Sequence, residues 1–444
     1  MINLENSDRK VLILGIDGVP YSFIKQLIKE NKLPNFKKLF ETGSASPLKS
    51  ILPTVSGVAW TAIFTGVNPA KFDVFGFLDL KKDYTPFIPT STNLKSDNIL
   101  DFLSQKGKRV ISLGVPMTYP PKEVNGICVG GFLTPSLEKG IYPKEMMSLF
   151  KEEKYIVDIN PMKARESLEF FMEELSRVFE GRKNTMLRLM KEKHWDFFIT
   201  HFIDTDRINH FLWHYYENGS SKYKDFFLEF YQKIDALLGT ILDVIDENTT
   251  LIVLSDHGFC KTKKEIQLNF WLKENGYLKF INENPKSFKD IHEASLAFSL
   301  TPGRIYIHTK KWKNGKVLEN ESKGIINEII DKLSSIQNPE NNEKIFNNVY
   351  KKDEIYSGKY IDDAPEITIL PNDGYELKAK LDAKSLFNPP DMAGIHTYED
   401  AMIAFNEKFD IKSEISVLDV YPTILEILGL EGPDNLDGSS IINK

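Results

Sequence analysis

Three apolar, β-branched runs of the chain end in residues that can bind cations or move protons. VLILGI is followed by Asp17, DFFITHF runs into Asp204, Asp206 and His210, and TLIVLS is followed by Asp256 and His257. In open parallel sheets ligands bind beyond the carboxyl ends of the strands, so side chains delivered there are the first candidates for chemistry. A single strand-end Asp is ordinarily a turn former or helix cap. Three such ends, two of them with histidine, exceed what turn chemistry requires. Asp206 and His210 stand four residues apart, which on a helical turn puts both on one face and lets them share a cation.

A fourth candidate is Ser56 in LPTVSGVAWTAIFTG, just before a segment that reads as a helix from Val58 to Thr65. A hydroxyl at a helix N-terminus sits in a field that favours negative charge, which stabilises an alkoxide or a phosphate oxygen. The same position also suits a simple N-cap, so the segment alone leaves nucleophile and cap both open. His396 lies in PPDMAGIHTYEDAMIAF, a Pro/Gly-bounded loop before a strand-like run, and as a lone histidine it reads as structural.

The elements that must position these residues alternate between short apolar runs and helical-period segments, the pattern of a largely parallel sheet flanked by helices. The fold class is α/β. Strands are expected at Val11 to Ile16, Val110 to Val115, Asp196 to Phe202, Thr250 to Ser255 and Glu366 to Leu370, with helices at Tyr21 to Glu30 and Tyr223 to Asp246. In the second helix Phe227, Phe230, Tyr231, Ile234, Leu237, Leu238, Ile241 and Ile245 form one apolar stripe, read as core. Between Lys261 and Tyr356 the composition shifts toward Lys, Asn and Glu, which predicts an inserted specificity lobe over residues 261–356 within a discontinuous core of residues 1–260 and 357–444. The segment from Leu133 to Arg182 is a second place to expect specificity. Gly15 to Gly18, G-I-D-G, fits neither the dinucleotide-binding nor the P-loop pattern.

The bulk composition narrows the partners. With 444 residues, 41% hydrophobic, the chain can bury a large core. A formal charge of −7 and a pI near 5.8 provide no global basic field, so no nucleic-acid polymer or anionic membrane is expected and a small anionic substrate must be captured locally. The first residues, MINLENSDRK, carry no apolar export segment, and Cys128 and Cys260 form no C-x-x-C site, so the expected location is cytoplasmic.

The order Asp17, Ser56 in P-T-V-S, Asp206-x-x-x-His210, Ser255-Asp256-His257-Gly258 and late His396 resembles the alkaline phosphatase superfamily, in its type I phosphodiesterase and nucleotide pyrophosphatase branch. The nearest likeness is to the proteins described as predicted phosphohydrolases or phosphomutases. LPNFKKLFETG, GVPMTYPPKEVNGICVGGFLTP, LNFWLKENGYL, DDAPEITIL and DVYPTILEILGL carry the resemblance across nearly the whole chain. It implies an alkaline-phosphatase-like sheet and two divalent metal ions, one held by Asp206, His210 and His396 and the other by Asp17, Asp256 and His257, with Ser56 at or between both. The mixed donor set suits Zn²⁺, or alternatively Mn²⁺. Two departures bear on specificity. Asn68-Pro69-Ala70-Lys71-Phe72-Asp73 stands where relatives read N-P-x-K-H-G, and Phe77 falls where many nucleotide pyrophosphatases carry a phosphoryl-contacting Asn.

The expected reaction is hydrolysis of a phosphodiester or pyrophosphate link through a phosphoryl-serine intermediate. No Arg or Lys lies between Ser56 and Lys71, and a monoester dianion needs more positive charge than a diester, although Arg207 or Arg304 could supply it after folding. A phosphomonoesterase or phosphomutase is the alternative, and a catalytically silent binding module is a third. Sulfatase chemistry lacks its C/S-x-P-x-R pattern at Ser56. Among other histidines, His214 could support His210, His201 sits inside a strand, and His194, His292 and His308 lack acidic partners at ligand spacing.

Overall fold

The computed structural model describes residues 9–219 and 221–443. The expectation drawn from the leading residues therefore falls almost entirely outside the described chain. An eight-stranded sheet forms the centre, in the spatial order Ser44–Leu48, Ala401–Phe405, Thr249–Leu254, Lys10–Ile16, Phe197–Phe202, Val110–Val115, Gly126–Gly130 and Ile141–Tyr142. The strands from Thr249–Leu254 through Gly126–Gly130 are mutually parallel. Ala401–Phe405 and Ile141–Tyr142 run antiparallel at either side.

Alternation along each strand feeds two cores. Leu12, Leu14 and Ile16 join Phe198 and Phe202 on one face, whereas Val11 and Ile13 join Phe197 and Ile199 on the other. Helices cover both faces, which is why these strands read as unbroken apolar runs. Tyr21–Lys29, Leu168–Glu192, Asp204–Asn218 and Ser221–Val244 pack on the first face. Ser56–Thr65, Ile99–Gln105 and Val420–Ile427 pack on the second. The stripe expected in the long helix is buried from Phe227 to Ile241.

The strand expected near Glu366 is present as Ile367–Pro371, but it does not belong to the parallel sheet. It pairs antiparallel with Arg304–Ile307 and Phe346–Lys351 in a four-stranded sheet completed by Ala297–Leu300. A short apolar run specifies a buried strand without specifying which sheet buries it. A smaller three-stranded sheet joins Tyr375–Lys378, Lys264–Gln267 and Phe387–Asn388. These sheets share a third hydrophobic core, which also takes Leu80 and Tyr84 from far upstream. No helix among the described residues is long and apolar enough to cross a membrane.

Candidate active site

Thr249–Leu254, Lys10–Ile16 and Phe197–Phe202 are neighbours in the sheet, so their carboxyl ends present Asp256 and His257, Asp17, and the helix Asp204–Asn218 side by side. The helix that begins at Ser56 arrives from the opposite face of the sheet. Ser56 is the first helical residue, the cap position belongs to Val55, and no side chain caps the helix by hydrogen bonding. The Ser56 hydroxyl instead lies 3.2 Å from Asp17 Oδ1 and 3.3 Å from His257 Nε2.

Asp17 is fixed from several sides. Trp60 Nε1 donates to its Oδ2 at 2.9 Å, and His201 Nε2 lies 2.6 Å from the same oxygen, with His201 Nδ1 against Gly114 O at 2.9 Å. Gly15 makes room for this: a Cβ there would sit 2.7 Å from the Trp60 ring. The turn after Asp17 needs Gly18, which has φ +65° and whose missing Cβ would press on His257 and Phe259 at 3.0 Å. Thr205 donates to Asp17 O at 2.7 Å and Asn209 to Gly18 O at 2.8 Å, tying the turn to the helix that carries Asp206 and His210.

Asp206, His210 and His396 converge on one point. Asp206 Oδ1 is 3.3 Å from His210 Nε2 and 3.2 Å from His396 Nε2, and the two nitrogens are 3.0 Å apart. His396 is delivered by the strand Gly394–Thr397, which pairs with Gly258–Lys261 in a register that sets His396 opposite Phe259. The His257 and His396 rings stack at 3.7 Å, so the two halves of the cluster touch.

The donor chemistry fits cations. Nδ1 of His210, His257 and His396 faces the carbonyl oxygens of Gly394, Gly258 and Thr54 at 2.9, 3.0 and 3.1 Å, so each Nδ1 donates and each Nε2 turns inward. Two inward nitrogens 3.0 Å apart require positive charge between them. Asp256 Oδ2 is buried and has no hydrogen-bond partner among the described residues. Two groupings, Asp17, Asp256 and His257, and Asp206, His257 and His396, bring their ligand atoms within 4.8 Å of one another.

The charges point the same way. Burial, then the nearby Asp17 charge, pushes the Asp256 carboxyl well above the usual carboxylate range. Burial also disfavours ionised Asp17, but the His201 hydrogen bond and charge overcome it and hold the carboxyl below that range. Burial, reinforced by His396, lowers the His257 imidazole to about 3, leaving it neutral and able to coordinate. At Asp206 burial is outweighed by His210 and His396, which hold the carboxyl well below its ordinary value.

Other candidates are placed elsewhere. Asp204 is directed away into a buried ion pair with Arg182. Arg304 spends its guanidinium on Asp79, Leu78 O and Thr301 O, a strut between the four-stranded sheet and the segment after the helix Ser56–Thr65. Arg207 reaches Asp206 Oδ2 at 3.2 Å while paired with Asp158 at 2.6 Å. His214 bonds Asn218 on an exposed helix face, and His308 is buried in the lobe against Tyr84 and Ser295 O. His201 and Trp60, as partners of Asp17, are the residues that sequence reasoning missed.

The chain matches the profile of the type I phosphodiesterase / nucleotide pyrophosphatase family over residues 11–399. It belongs to that family. Its members hydrolyse phosphoesters and depend on metals, and this chain is a phosphoester hydrolase of that type. Among solved structures, phosphonoacetate hydrolase from Sinorhizobium meliloti 1021 in complex with phosphonoacetate is similar at TM-score 0.64 and 15% identity, covering 95% of this chain and 96% of that one. Murine ectonucleotide pyrophosphatase / phosphodiesterase 5 is similar at TM-score 0.56 and 14% identity over 97% of this chain and 98% of that one. Its human counterpart gives 0.58 and 14% over 98% and 100%. At these identities the likeness is one of fold. No curated protein sequence matches the chain.

Proposed function

We propose that the protein hydrolyses a phosphodiester or pyrophosphate-type link through a phosphoryl-Ser56 intermediate. The observation that carries this reading is the Ser56 hydroxyl poised 3.2 Å from Asp17 and 3.3 Å from His257, inside a cluster of inward-facing carboxylates and imidazoles. Asp17, Asp256 and His257 would hold one divalent cation and Asp206, His210 and His396 another, with Zn²⁺ suiting the donor set best and Mn²⁺ next. When bound, the two ions supply the positive charge that acidifies the serine hydroxyl and offsets charge on the entering and leaving oxygens.

Ser56 Oγ attacks phosphorus in line, the Oγ–P bond forming as the bond to the leaving oxygen breaks and its electron pair departs with that oxygen. Water then cleaves the Oγ–P bond and restores the hydroxyl. Asp17, clamped by Trp60 and His201, keeps Oδ1 directed at Ser56. A cleft of about 270 Å³ runs from His210 and His396 to Thr301 and Pro302, within the expected lobe, and to Ile369 to Pro371 beyond it, which supports a role for this region in choosing the substrate.

Diesters are favoured because the two guanidiniums expected to supply extra charge are already paired, Arg304 with Asp79 and Arg207 with Asp158. A monoesterase or phosphomutase is the second reading, supported by the contact of Arg207 with Asp206, from which it could turn toward a dianion. Acid quench of the metal-loaded protein with a nitrophenyl diester, beside the monoester, tests both. A phosphoryl group that still carries its retained ester arm, trapped on Ser56, and faster turnover of the diester are expected. A Ser56 adduct formed only from the monoester would favour the second reading, and turnover with no adduct on Ser56 would remove the covalent route.

A further inference from the structure

Beside the cation-binding cluster lies a cavity of about 190 Å³ with an almost wholly apolar lining and no charged side chain. Gly57, the residue after Ser56, stands in its wall, and a Cβ built there would first meet Met117 at 3.8 Å. Phe77, Ile88 and Leu133, which are 42%, 42% and 45% exposed, also line it. They are three of the eight exposed large hydrophobics among the described residues, a clustering that solitary surface residues do not produce.

The Phe77 and Phe132 rings lie parallel within 6° at 6.0 Å. The Arg207 guanidinium lies 5.6 Å from the centre of the Phe132 ring while bonded to Asp206, which links this wall to the ligand-bearing helix. Met117 and Leu133 take φ values of +63° and +74°, a conformation that side chains of this bulk seldom adopt and that gathers at functional sites. Apart from the Met117 thioether, only Thr90 and Tyr119 among the lining side chains can form hydrogen bonds, and the Thr90 hydroxyl is engaged by Thr92 at 2.8 Å. The wall can therefore sense apolar shape far better than it can read a hydrogen-bonding edge.

We propose that this cavity receives the ester arm that stays on phosphorus, and that this arm is an alkyl or aryl group, making the substrate a phosphodiester of an apolar alcohol. The proposal rests on the hydrolase reading of Ser56. In-line displacement puts the leaving oxygen opposite Ser56 Oγ, so a pocket walled by Gly57 takes a substituent that is retained. In that step the Ser56–phosphorus bond forms and the leaving oxygen departs with its electron pair, while the bond from phosphorus to the apolar arm is untouched. An apolar cavity of about 150 Å³ holds a benzene ring, so the volume is sufficient for one ring or a short alkyl chain.

The test uses the metal-loaded protein and four p-nitrophenyl diesters whose second arm is methyl, hexyl, phenyl or thymidine 5′-yl, with kcat/KM read from nitrophenolate release. Each buried methylene strengthens binding about fourfold, so the hexyl ester should exceed the methyl ester by roughly 30-fold or more even if burial is partial. Ile88→Asn and Leu133→Asn, the latter suited to positive φ, should each cut that ratio at least about fivefold. A wild-type ratio below about 3, a ratio unmoved in both variants, or a thymidine ester that outruns both hexyl and phenyl esters would overturn the proposal. No turnover of any of the four esters, or full turnover in Ser56→Ala, would instead overturn the hydrolase reading.

Discussion

The two halves of the cation cluster are built differently. Asp17, Asp256 and His257 are fully buried and come directly from the ends of two adjacent strands. Asp206, His210 and His396 are 4%, 17% and 15% exposed at the side chain and come from a helix and a late strand. The inner half pairs two carboxylates with one neutral imidazole, and one carboxylate oxygen has no partner. The outer half sets one carboxylate against two imidazoles and largely compensates itself. Asp256, buried without compensation, makes the inner half the more dependent on a cation, while in the outer half a single positive charge shared by the two imidazoles offsets Asp206.

The largest expected effect falls on the group shared by both halves. Ser56→Ala should lower turnover by about three orders of magnitude or more with both metals retained, and Ser56→Thr should keep part of the activity. Metal analysis beside steady-state kinetics checks this, and an Ala variant holding more than about a tenth of wild-type turnover would end the nucleophile assignment. Next, Asp256→Asn should remove one metal equivalent and cut activity at least about a hundredfold, yet raise the melting temperature of the metal-free protein. The sign follows because burial near Asp17 disfavours the charged carboxylate, a cost that the amide does not bear. A lowered metal-free melting temperature would contradict the asymmetry.

Timed chelation should strip the outer ion first and the inner one only on prolonged dialysis, so metal content should fall in two steps. A single step would mean that the halves are equivalent. A smaller effect is expected for His201→Gln, which loosens Asp17 without removing a ligand: about 10- to 100-fold weaker retention of the inner ion, with the outer ion unaffected. The smallest is no change at all in metal content for His194→Gln and His292→Gln, measured by elemental analysis.

Most residues that gather in the candidate site are marked in the sequence because they stand where a strand ends or where a helical turn repeats, signals that are local, whereas His396 reads as structural from its own surroundings and only the family resemblance singles it out. The sequence also disclosed the character of four of the five parallel strands, since burial on both faces removes polar alternation, but not that of Gly126–Gly130. It could not disclose what lies between distant segments. His201 reads as one more residue of a buried strand, and its pairing with Asp17 depends on two strands lying side by side with Gly15 opposite His201. Trp60 reads as core because the glycine that admits its ring is 45 residues upstream. The apolar run at Ile367–Pro371 carries no mark of the sheet it joins, and the grouping of Phe77 with Leu133 exists only once the chain has folded.

The pairing of Gly394–Thr397 with Gly258–Lys261 has a consequence for biosynthesis. Asp17, Ser56, Asp206, His210, Asp256 and His257 are all translated before residue 258, but His396 and the strand Ala401–Phe405, which fills the gap between Ser44–Leu48 and Thr249–Leu254, emerge only about 140 residues later. A nascent chain can therefore bring the inner half of the site together while the outer half waits for residue 396 to leave the ribosome. Assembly of the whole site is thereby tied to emergence of the chain as far as the strand Ala401–Phe405, and a product terminated before it would lack one of the two groupings.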